Sequence, residues 1–160
     1  MVLGVPATVA ADLLAQVEDA LAAIVRQIRI PRLYDRIAVD AGLTLERGAY
    51  PVLRLVEETG STRLSQLAQV LNLDLSTVSR HVKQLERAGL VARTGDKLDA
   101  RASLLRVTAK GRRAVAAVNE AWRRFIAEVL ADWRPGDVAA LGPLLERLAH
   151  DMSTVIEGQR

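Results

Sequence analysis

Five side chains within eight consecutive positions, Ser76, Thr77, Ser79, Arg80 and Lys83, carry a dense set of polar recognition groups in this 160-residue chain. Three short hydroxyls both donate and accept hydrogen bonds, and beside them stand a planar guanidinium and a compact ammonium. Such a set suits non-covalent contact with base edges and phosphate oxygens. Arg80 is the member whose fork of donors matches the paired acceptors of guanine, a contact that discriminates by about 1–3 kcal/mol. Lys83 suits a phosphate.

The elements that must present these groups follow from apolar spacing. Val78, Val82 and Leu85 fall at i, i+4 and i+7 and make the inward face of a helix whose outward N-terminal face holds the five polar residues. Asp74 stands where a carboxylate accepts from the free N–H groups of that helix, and Gly89 is a natural residue to follow its end. His81 borders the buried face and is read as a packing residue rather than a base reader. Upstream, Leu64, Leu67, Ala68 and Leu71 share one helical face, small Ala68 leaves room for a second helix, and Asn72-Leu73 makes the turn between them. Downstream, Leu90 to Arg93 and Ser103 to Val107 are strand-like runs joined through a turn at Thr94 to Lys97. Thr108 is placed to cap a further helix. Two helices, a turn and two antiparallel strands make a helix-turn-helix with a wing.

The stretch Leu64 to Gly111 resembles the MarR family of winged-helix regulators. Their signature is a Leu-x-x-x-Gly-Leu-Val-x-Arg segment, then Asp-x-Arg, then a hydrophobic residue with Thr-x-x-Gly. This chain supplies Leu85 to Arg93, Asp99 with Arg101, and Val107-Thr108 with Gly111, and the order and flanking helices extend the likeness over nearly the whole sequence. The resemblance implies a homodimeric regulator, usually a repressor, that binds double-stranded DNA. It implies that Arg101 enters the minor groove, where a narrow A·T-rich groove attracts its charge. Asp99, which cannot face phosphates profitably, pairs with a nearby Arg and shapes the wing, and Lys97 at the turn contacts phosphate. The resemblance also implies a small aromatic or anionic effector, bound between the dimer helices and the DNA-binding lobe; Tyr34, Tyr50, Arg54 and Trp122 are the candidates to line that site.

Charge distribution agrees. From Ser61 to Arg113 there are eleven Lys and Arg against four acids, a net +7, while the rest of the chain holds eleven against fifteen, a net −4. A basic block within an acidic chain is the footprint of a polyanion-binding surface, because each cation near a phosphate releases condensed counterions.

Composition bounds the fold and the alternatives. Half the residues are hydrophobic and only 3% aromatic, which favours a mostly α-helical single domain over residues 1–160. With no cysteine there are no disulfides and no thiol redox sensing, and His81 and His150 alone do not make a metal site. No cofactor is expected. The first cation, Arg26, follows Asp12, so a basic leader is absent, and no apolar run is long enough to cross a membrane; a cytoplasmic protein is expected. An enzyme is disfavoured: Gly42 and Gly48 are too far apart for a phosphate-binding loop, and no Cys–His pair exists. A constitutive or architectural DNA-binding protein without an effector stays open beside the ligand-responsive regulator.

The flanks predict the assembly. Leu14, Val17, Leu21, Ile24 and Ile28 stripe a helix over 12–41 that Pro31 must kink or divide. Thr44 is placed to cap a helix reaching Thr59 and bent at Pro51, within a winged core over 44–111. Over 112–157, Val115, Val118, Trp122 and Val129 stripe one helix. Val138, Leu141, Leu145, Leu148, Met152 and Val155 stripe another, which starts at Pro135 and is interrupted at Gly142-Pro143. A small winged core cannot cover these stripes, so the long helices at both ends of two copies are expected to interlock in a twofold dimer.

Overall fold

The structure is a computed structural model describing residues 11–95 and 103–158. It is mostly helical, in the order α1 (Ala11–Ile28), α2 (Pro31–Asp40), α3 (Ala49–Thr59), α4 (Leu64–Leu71), α5 (Leu75–Arg87), β1 (Val91–Gly95), β2 (Ser103–Val107), α6 (Ala109–Val129) and α7 (Pro135–Glu157). These elements fall into two compact units, one ending at Ala121 and one beginning at Trp122. Among the described residues no helix is long and apolar enough to cross a membrane.

In the first unit, α3, α4 and α5 close on one core. Val52, Leu53 and Val56 of α3 meet Leu67 of α4, Val78, Val82 and Leu85 of α5, Leu105 of β2 and Val115 of α6. The apolar residues of α5 recur every three or four positions, so a helix is the conformation that buries them together. The turn before α5 depends on Asn72, whose φ of 50° is left-handed and whose short polar side chain tolerates that region better than most. Asp74 occupies the N-cap with extended backbone, but its carboxylate makes no capping hydrogen bond. Gly89 at φ +71° takes the left-handed position that ends α5.

β1 and β2 pair antiparallel, Val91 opposite Val107 and Gly95 opposite Ser103. Thr62 adds a short third pairing, its N–H donating to the Leu105 carbonyl at 3.1 Å and its carbonyl accepting from Leu105 at 2.8 Å. Thr108 then starts α6. Its hydroxyl donates to the Gly89 carbonyl at 2.7 Å and accepts from the Gly111 N–H at 3.0 Å.

Three prolines differ in effect. Pro31 divides the first amphipathic stretch: Ile30 is extended, the conformation favoured before proline, and Pro31 opens α2. The helix expected after Thr44 begins only at Ala49, with Gly48 as its N-cap. Pro51 therefore lies in the first turn, where backbone N–H groups have no intrahelical partner, and no bend is needed. At the other end α7 runs unbroken through Pro143. The carbonyl that this proline leaves without a partner, on Ala139, lies on an exposed stretch where water can take the bond.

Among the described residues none in α1 or α7 is buried. In the second unit Trp122 and Phe125 meet edge to face, ring centres 5.7 Å apart.

Candidate nucleic-acid interface

With Val78, His81, Val82 and Leu85 buried, the opposite side of α5 is left to solvent. At 3.6 residues per turn, positions 76, 79, 80, 83 and 87 fall on one stripe. They line a shallow groove of about 460 Å3, shared by Ser76, Ser79, Arg80, Lys83, Gln84, Arg87 and Glu46. Four of the five residues named from the sequence are thus brought together. Thr77 sits round the helix, half-buried and outside that lining.

Within the described residues no ion pair engages Arg80, Lys83 or Arg87, whereas Glu86 on the same helix is taken by Arg93 at 2.7 Å. Three cations on one helical face, with no ion-pair partner among the described residues, present their charge outward. Arg87 was not apparent from sequence, since a cation in the last turn of a helix is explained by the macrodipole alone. Its spacing of four from Lys83 and seven from Arg80 was the available signal.

Glu46 comes from the loop before α3, and that loop is fixed from α2. The Tyr34 hydroxyl donates to the Glu46 carbonyl at 3.2 Å. The Arg47 guanidinium holds Asp35 in a two-pronged pair, at 2.9 Å to Oδ2 and 3.1 Å to Oδ1. Gly48 then lies directly against His81 of α5; a β-carbon there would collide with the imidazole Nε2 and Cε1 atoms. His81 is buried as expected. Its Nδ1 makes no hydrogen bond and stands 3.8 Å from a Glu46 carboxylate oxygen.

The wing is tied to α5 at its base, where Arg93 bonds Glu86 and also donates to the Ser103 hydroxyl at 3.1 Å. Lys97, Asp99 and Arg101 lie outside the described residues.

Of the four residues expected near an effector, three are neighbours in the first unit. Burial, reinforced by nearby Tyr50, pushes the Tyr34 phenol above its ordinary pKa. Burial also raises that of Tyr50, partly offset by the Arg54 guanidinium. The Tyr50 hydroxyl is buried and makes no hydrogen bond of good geometry. Arg54 bridges elements, bonding Glu58 at 2.7 Å and donating to Asn119 of α6 at 3.2 Å. Trp122 is half-buried in the second unit.

Comparison with known proteins gives concordant matches. The MarR family model matches residues 45–103. Over 104 residues the chain is 34% identical to YxaD, an HTH-type transcriptional regulator of Bacillus subtilis (strain 168), covering 65% of this chain and 73% of that one. A solved MarR family protein from Bacillus stearothermophilus shares the fold with a TM-score of 0.78, at 23% identity over 91% of this chain and 99% of that one. The transcriptional regulator Tm0710 from Thermotoga maritima aligns with a TM-score of 0.69 and 26% identity, covering 89% and 98%.

Proposed function

This chain belongs to the MarR family of winged-helix transcriptional regulators, which are not enzymes, and on that premise we propose that it is a homodimeric repressor of an inverted-repeat operator. The observation that carries the reading is the outward face of α5, where Arg80, Lys83 and Arg87 lie beside Ser76 and Ser79 in one groove. Ser76, Thr77, Ser79 and Arg80 are assigned to base edges or adjacent phosphates, and Lys83 to phosphate. In titrations against an operator and a scrambled duplex, Arg80→Ala is expected to narrow the preference roughly 5- to 100-fold. Lys83→Ala is expected to weaken both duplexes alike and to lower the slope of affinity on salt by about one. Equal behaviour of both variants and wild type would refute α5 as the reader.

Two recognition helices related by a twofold axis enter successive major grooves with centres about 34–36 Å apart. The support for pairing is the apolar surface that α1 and α7 each leave exposed, including Val17, Leu145 and Val155. Lys97 and Arg101 are assigned to the wing's contacts and Asp99 to its shape, from the family motif. Arg101→Ala should weaken every duplex, most where the flanks are A·T-rich; an unchanged mobility-shift titration would remove the wing from the interface.

For the effector, the support is chemical. The Arg54 guanidinium beside the Tyr50 phenol offers a cation and an aromatic ring to a small aromatic or anionic molecule, with Tyr34 adjacent and Trp122 the fourth candidate. Differential binding to two separations of the recognition helices would couple such a ligand to DNA release. A cytoplasmic location is consistent with this reading.

A further inference from the structure

We propose that Glu46 is a base-reading residue, whose carboxylate accepts a hydrogen bond from the exocyclic amine of a cytosine in each half-site. The inference rests on α5 being the recognition helix. Glu46 lies outside α5 and outside the helix-turn-helix, yet it lines the same groove as Ser76, Ser79, Arg80 and Lys83. It supplies the lining's one acid among three cations and three neutral polar residues. A carboxylate facing phosphates would be repelled, so in a DNA groove it is useful only against a donor, and the cytosine amine is the donor that carboxylates pair with in the major groove.

The protein leaves this carboxylate available. Its side chain is 60% exposed, and the His81 Nδ1, 3.8 Å from one carboxylate oxygen, is beyond hydrogen-bond reach. The backbone that carries it is held, in contrast. Tyr34 bonds the Glu46 carbonyl, the Arg47–Asp35 pair fixes the next residue, and Gly48 sits against His81 of α5. An acid on a fixed backbone, lining the same groove as three cations, is placed to add a second letter to what Arg80 reads.

The test selects bound duplexes from a random pool with the full chain as wild type, Glu46→Ala, Glu46→Gln and Arg80→Ala. Wild type should enrich cytosine at one position of each half-site. Glu46→Ala should flatten that position by about tenfold and leave the others intact, and Glu46→Gln should move it towards adenine, which glutamine pairs with. An intact cytosine preference in both Glu46 variants overturns the proposal, as does a uniform change in affinity with every preference retained. If Arg80→Ala also leaves all preferences intact, α5 is not the reader and both readings fall. If Arg80→Ala alters them while the Glu46 variants do not, only the Glu46 assignment falls.

Discussion

A Leu145→Asp chain is expected to sediment as a monomer and to bind a two-half-site duplex about 100- to 10,000-fold more weakly than wild type. Leu145 is 44% exposed on α7, where Met152 at 49% and Val155 at 57% continue the stripe, and no described α7 residue is buried. Amphipathic helices of this length are not stable with their apolar stripes in water, and most helical stability in proteins comes from packing that face. A second copy covers it in the proposed dimer. An aspartate there would be desolvated beside apolar partners, which costs several kcal/mol if it stays charged and unpaired. Losing the dimer removes the second recognition helix from the same molecule, and with it the effective concentration that multiplies affinity by the stated range. The core of the winged unit lies elsewhere, so that unit should stay folded, and any loss of helical circular dichroism should be limited to the uncovered end helices. A Leu145→Asp chain that remains dimeric with unchanged affinity would place the interface elsewhere.

The largest stability effect is expected at Gly111. It is buried at the start of α6, and a β-carbon there would run into the Leu90 carbonyl oxygen and come within 2.6 Å of the Val107 Cγ2 atom. Leu90 leads into β1 and Val107 ends β2, and the Leu90 clash falls on backbone that cannot swing aside as a side-chain tip can. Gly111→Ala would have to push α6 away from the wing, lengthening the Thr108 bonds to Gly89 and to the Gly111 N–H. Overpacking of this kind costs about 1–3 kcal/mol or more, which for a chain of this size lowers the melting temperature by roughly 2–12 °C. A calorimetric melt coincident with wild type would mean that α6 and the wing are not packed as described.

Where the sequence was legible, local period or local capping decided the structure. Val78, Val82 and Leu85 could be buried together only on a helix, and that choice left Ser76, Arg80 and Lys83 outside. Thr108 is likewise a cap whose partner is three residues away. What could not be read depended on long-range contact. Thr44 is a good capping residue in isolation, yet α3 starts at Ala49 because the preceding loop is drawn onto α2 by the Tyr34 and Asp35 contacts and onto α5 by Gly48 against His81. Glu46 enters the groove through that same loop, across some thirty residues of sequence from the face it joins. Pro143 predicts a break because a proline interrupts most helices; exposure of α7 at that point lets the helix continue.

The central claim is that two copies of the α5 face and its wing read one duplex together. Recovering bound duplexes from a random pool and reading the spacing of the enriched motifs tests it most directly. The account predicts an inverted repeat whose half-site centres lie about one helical turn, or a multiple of it, apart. A single non-palindromic motif, or half-sites without fixed spacing, would contradict it.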